Sequence, residues 1–215
     1  MDYERHLVSA WDMSTINPPD LGWKGNGNDG VGNGLVAATD IVEGIAGGKA
    51  TEFDGTEWIT VPQDSSLEFG SGGMSVSLWV KTTDANASLI EKGADNANVA
   101  GWKLVQTGGL LYWFCRDGTN TVSVTAAEIV DNEWHHCVVT RLGTSVYLYL
   151  DGILIGTNAG ALGSLDNAGR AVTIANVIAH TFGLTGAIDS VRIYSAALTP
   201  LQVADLYAAT RQGRK

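Results

Sequence analysis

Paired carboxylates are the first chemistry to test in an acidic chain, and EIVDNE places Glu128, Asp131 and Glu133 within six residues. Such a pair cleaves a glycosidic bond when its two carboxyls flank the bond, about 5–5.5 Å apart in the retaining mechanism. On a strand only alternate positions share a face. Asp131 stands three residues after Glu128, so the two would point to opposite faces. The run also leads straight into Trp134-His135-His136, which puts it at a turn. It fails the first test of a catalytic pair, which is geometry. His135 and His136 are neighbours, so on a strand they cannot chelate one ion together. Two strand histidines with satisfied ring nitrogens are the simpler reading. Asn26 to Gly30 reads NGNDG and invites calcium, but it lacks the third ligand and the closing glutamate of an EF-hand loop. No G-x-S-x-G elbow, phosphate-cradling glycine loop or Cys/His zinc spacing occurs. The expectation is a protein without catalytic residues.

The elements that would carry any site are strands. The stretch from Asp131 to Gly152, DNEWHHCVVTRLGTSVYLYLDG, alternates between two faces over Trp134 to Arg141 and again over Val146 to Leu150. Val146, Leu148 and Leu150 can face a core while Tyr147 and Tyr149 face away. Asp151-Gly152 supplies the positive φ angles of a two-residue hairpin turn. MSVSLWVKT at 74–82 alternates as cleanly, with Met74, Val76, Leu78 and Val80 on one side and Ser75, Ser77, Trp79 and Lys81 on the other.

The rest of the chain follows suit. Strands are expected at 6–13, 49–54, 57–62 and within 83–101, then in GWKLVQT, LLYWFCR, TVSVTA, ILIGT, AVTIANV and GAIDSVRIYS. Residues 17–34 carry too much Gly, Asn and Pro for strand or helix, and read as one long irregular loop. Long loops in compact domains are often functional. After the last strand, Thr199-Pro200-Leu201-Gln202 has the cap, proline and glutamine of a helix start. Leu201, Ala204, Leu206 and Tyr207 would form the apolar side of that helix. With no linker and no repeat, residues 1–215 read as one domain.

Composition narrows the function classes. The chain has 215 residues, 45% hydrophobic and 17% charged, which is globular. Its net charge is −10, with no basic footprint for nucleic acid or an anionic membrane. The start, MDYERHLVSAWDM, does not look like a signal peptide, and no apolar run is long enough to span a bilayer. Cys115 and Cys137 each sit in an apolar strand. Two buried thiols are the simpler reading, since a bridge would need adjacent strands in register.

AWDM, KATEFDGTEWITVP, MSVSLWVKT, DNEWHHCVVTR, VYLYLDGILIGT and GAIDSVRIYSAALTPLQVADLY, in that order, resemble the laminin-G-like domains of the concanavalin A-like lectin/glucanase superfamily. The resemblance runs from about residue 7 to residue 208 and implies an all-β jelly-roll sandwich of two antiparallel sheets with one short C-terminal helix. It also implies a structural Ca²⁺, for which the matching positions are Asp12, Asp54 and Asp189. Asp189 interrupts the apolar strand of Ala187, Ile188 and Val191, where a charge should be paired or coordinated. An ion pair with Arg192 or a turn-capping role would serve as well. For glycans, Trp79, Tyr147 and Tyr149 would be an outward platform, with Arg116 and Asp117 joining from the rim. The competing reading buries these aromatics as a second small core. Two functions remain open, because this fold hosts many. One is a non-catalytic surface recognition module for a glycan or protein ligand, at a cell or virion surface. The other is a structural subunit, such as a virion decoration or filament, that uses the jelly roll for homo-oligomer or particle contacts.

Overall fold

A computed structural model of the chain describes residues 2–22, 26–93, 98–177 and 179–212. Its strands begin with β1 (Leu7–Trp11), β2 (Val31–Asn33), β3 (Ile41–Glu43), β4 (Lys49–Asp54) and β5 (Trp58–Val61). The middle of the chain gives β6 (Met74–Thr82), β7 (Ala87–Gly93), β8 (Ala100–Thr107), β9 (Leu110–Asp117) and β10 (Thr121–Glu128). The last are β11 (His135–Leu142), β12 (Ser145–Leu150), β13 (Ile153–Ala159), β14 (Val172–Ile174) and β15 (Thr185–Tyr194), followed by helix α1 (Pro200–Arg211).

These strands form an antiparallel jelly-roll sandwich. One sheet of eight runs β13-β12-β11-β6-β15-β4-β3, with β1 also beside β15; the facing sheet of seven runs β10-β9-β8-β7-β14-β5-β2. Alternation explains the layers. Met74, Val76, Leu78 and Val80 of β6 are wholly buried in the shared core, as are Val139 of β11 and Leu148 of β12. Trp102 and Trp113 meet them from the seven-stranded sheet, their ring centroids 6.0 Å apart. Each such aliphatic side chain contributes about 1.5–3 kcal/mol by leaving water. Cys115 and Cys137 lie in this core as free thiols, and burial raises both their pKa values.

The Asp151-Gly152 hairpin has φ angles of 51° and 82°, the left-handed pair that such a turn requires. At the sandwich flank Gly156 lets β13 close onto β10, because a Cβ there would sit 2.6 Å from Val124. Two short strands depart from the sequence reading. β3 gave no signal, and β2 lies within the supposed irregular loop. β2 forms because Val31, Gly32 and Asn33 find a ready partner in Thr60, Ile59 and Trp58 of β5. A sheet edge needs little intrinsic strand preference.

Helix α1 starts as expected: Thr199 accepts from the Gln202 amide while the Gln202 side chain accepts from the Thr199 amide. Its buried side differs. Val203, Leu206 and Thr210 face inward, whereas Leu201 is 72% exposed. The positions that pack are therefore three, then four, residues apart. They rest on Tyr3, Leu7, Val138, Tyr149 and Tyr194, which roofs part of the outer face of the eight-stranded sheet.

Candidate functional site

That roof decides the fate of the aromatic platform. Trp79 and Tyr149 do point away from the main core, yet each is only 2% exposed. The Trp79 indole donates to Thr210 Oγ1 at 2.9 Å and stacks on Tyr207 with ring centroids 5.6 Å apart. The alternation places both rings on the correct face, but the C-terminal helix covers that face. Trp79 is therefore not an open sugar platform, and the second-core reading describes it. Tyr147 is half-buried. With the edge of Tyr149, Leu142, Leu154 and Pro200 it lines an apolar groove of about 290 Å³ beside the helix start.

Arg116 and Asp117 lie on the other sheet, at the end of β9. The Arg116 guanidinium sits 4.8 Å from the Phe114 ring centroid and donates through Nε to Thr121. Asp117 accepts from the amides of Thr119, Asn120 and Gly163. Burial raises its pKa, but the amides of Asn120, Gly163 and Thr119 outweigh that and hold the carboxyl well below the usual range. Asp117 thus ties two loops together.

The carboxylates of EIVDNE end at a turn, as expected. Asp131 and Asp151 bracket His135: Nδ1 lies 2.9 Å from Asp151, and Nε2 lies 3.2 Å from Asp131. Burial lowers the His135 pKa, but hydrogen bonds and charge from Asp151 and Asp131 outweigh it and raise the pKa overall. His136 turns the other way and is fully buried, with Nε2 2.8 Å from Ser77 Oγ. Desolvation, assisted by the Arg192 charge, pushes its pKa down to about 3.

Two larger cavities open along β15. The first, about 440 Å³, is acidic, with Asp40, Glu52, Asp54 and Glu57 among its walls and Thr82 and Asn132 beside them. Asp40 accepts from the Val36 amide and the Thr39 hydroxyl, Asp54 from the amide and hydroxyl of Thr56, and Glu57 from the Asp54 amide. Desolvation raises the Glu57 pKa against that amide, while the Val36 amide lowers that of Asp40. The Asp40 carboxylate also raises the Glu57 pKa through its charge. The second cavity, about 460 Å³, lies between β1 and β15, with Arg192, Glu4 and Asp12 among its walls.

The three aspartates matched to calcium do not assemble. Asp54 lines the acidic cavity, Asp12 lines the second cavity, and Asp189 lines neither. Asp189 Oδ2 accepts from the Ile45 amide and Oδ1 from the Ser190 hydroxyl. The turn-capping role fits this buried charge, and among the described residues no ion pair joins it to Arg192. Nor, among the described residues, do three His, Cys, Asp or Glu side chains converge to hold a metal ion. The residues present do not fit a calcium site made of these carboxylates.

With the geometry in place, comparison with known proteins gives the family. A laminin-G-like model described as "Concanavalin A-like lectin/glucanases superfamily" matches residues 53–204, well over half of the chain. The chain belongs to the concanavalin A-like lectin/glucanase superfamily. No curated protein matches it. Among solved structures it is similar to the binding domain of Paraclostridial Mosquitocidal Protein 1, with a TM-score of 0.77 and 20% identity over 97% of this chain and 53% of that one. It is also similar to the receptor binding domain of botulinum neurotoxin D (TM-score 0.71, 14% identity, 97% of this chain and 54% of that one). The botulinum neurotoxin serotype G binding domain gives 0.72 and 16%, over 95% and 51%. The chain spans about half the length of each, and at these identities the likeness is one of fold.

Sequence reasoning missed Asp40, Glu57 and Arg192 as cavity residues. Asp40 and Glu57 sit in turn-rich stretches where an acid is unremarkable. Arg192 carried a signal: it is a lone cation on a strand whose neighbours Val191, Ile193 and Tyr194 are apolar.

Proposed function

We propose that this member of the superfamily is a non-catalytic recognition module and that it binds a glycan. The acidic cavity carries the reading. Carboxylates, threonine hydroxyls and the Asn132 amide converge on one polar space, and these groups accept and donate the hydrogen bonds that sugar hydroxyls need. Four carboxylates in one wall would repel an anionic sugar, so a neutral or amino sugar is the ligand class. The similar structures are a binding domain and a receptor binding domain, which agrees with recognition as the role.

A glycan array followed by calorimetry tests this. Neutral or amino glycans should be retained, and Asn132→Ala should weaken binding roughly tenfold without unfolding the chain. A blank array sinks the reading.

One observation favours a second reading, assembly. β13 is a sheet edge with Ile153 68% and Leu154 45% exposed, next to Leu142 at 60%, and it carries no charge or proline. Edges so built invite pairing. Light scattering after size exclusion decides between them: rings or fibres with a blank array support a structural subunit.

A further inference from the structure

The C-terminal helix roofs only part of the outer face of the eight-stranded sheet, and the part left uncovered beside its start is apolar. Leu142, Tyr147, Tyr149 and Leu154 give the groove of about 290 Å³ its floor, and Leu198 and Pro200 line its helix side. Register builds that floor. Tyr147 stands opposite Thr140, and Tyr149 opposite both Val138 and Leu154, so these side chains share the face turned away from the core. Leu201 follows Pro200 and projects into solvent, while Ile153 adjoins Leu154 on β13. Leu142, Ile153, Leu154 and Leu201 are four of the eight large apolar side chains exposed among the described residues. Such a concentration on one side of a molecule marks an interaction surface.

Charge selects the occupant. No residue lining the groove carries a charge, in a chain whose net charge is −10. A strongly acidic or basic partner would find nothing there to pair with. Two copies of this chain repel each other elsewhere, and here that repulsion is least. Asp205, one helical turn beyond Leu201, is exposed and falls at the border, where interfaces stay polar and wet. The face also complements itself, being a recess with a leucine projecting beside it. A two-fold axis makes each such contact twice. We propose that this face is the interface of a homodimer, with Leu201 of each copy seated in the groove of the other. Unlike pairing along the β13 edge, the contact closes at two copies.

Sedimentation velocity on the full chain, from about 1 to 200 µM, tests the assignment. A reversible monomer–dimer equilibrium is expected. It should tighten as salt rises from about 0.05 to 0.5 M, because screening removes the repulsion between two acidic chains. Leu201→Glu and Leu142→Glu should each weaken it roughly tenfold or more. Neither should lower the melting temperature, since both side chains are exposed and a glutamate in the first helical turn suits the dipole. Val31→Glu, an equal charge change on an exposed residue of the other sheet, should leave the dimer nearly unchanged. A monomer throughout, a dimer indifferent to both face variants, or open-ended fibres would overturn the proposal. So would a monomer that floats with phosphatidylcholine vesicles, which would give the face to a lipid surface. Glycan retention is read separately: the monomeric variants keep the acidic cavity, so either reading can fail without the other.

Discussion

Arg141 and Arg192 are both arginines on strands of the same sheet, and the regions around them solve the burial of a guanidinium in opposite ways. Arg141 is fully buried, yet it donates to the carbonyls of Gly143, Gly70, Leu162 and Gly163. It staples three loops at one end of the sandwich. Arg192 is less buried and leaves Nη1 without an acceptor, at the wall of a cavity. A buried charge whose donors are all matched holds loops in place, whereas one left short of an acceptor costs stability.

Substitution should pull the two regions apart. The largest effect is expected for Arg141→Met, which strands four carbonyls and should cost about 3–5 kcal/mol in urea unfolding. Arg192→Met, which removes a charge short of an acceptor, should cost far less, and equal losses would erase the contrast. Next comes Asp117→Ala, which removes the acceptor of three amides, one of them at Gly163, beside the Arg141 staple. It should cost about 1–3 kcal/mol. Because both residues grip the same loop, the double variant should lose less than the sum, and strict additivity would show that they act separately. Asp117 also sets an acid limit. Its folded pKa is depressed, so its contribution is present above the unfolded carboxylate value and lost as pH falls.

His135 is an intermediate case, a cation that gains two partners only when protonated. Its folded pKa is raised above the ordinary 6.5. Its contribution is therefore complete below that unfolded value and lost as pH rises through the raised one. Half-exposed ion pairs contribute about 0.2–1 kcal/mol, so the effect is modest. Melts across pH 6 to 8 should show a slope that His135→Gln removes, and an unchanged slope would release Asp131 and Asp151 from the clasp. The smallest effect is expected from a chelator. With Asp189 satisfied by Ile45 and Ser190, EDTA should leave the melting temperature unmoved, and a drop would restore calcium to the fold.

The layers of the fold were legible because alternation is local: MSVSLWVKT declares its two faces without help from any partner. The Thr199–Gln202 cap was equally self-contained. What lay beyond reading was whatever depends on a distant element. Trp79 was placed on the correct face, but nothing near it announces that Thr210, 131 residues later, will cover it. Val31–Asn33 becomes a strand because β5 offers it an edge. The cavities depend on which loops meet, so Asp40 and Glu57 gave no advance notice.

The seam beneath the C-terminal helix has an optical consequence. Trp79, His136 and Tyr207 form a triangle of rings, with centroids 5.0, 5.6 and 5.9 Å apart, and the helix's final turn shuts the indole off from solvent. Lifting that turn would wet the indole and redden its emission, so the chain carries a built-in fluorophore for whatever tugs on its tail.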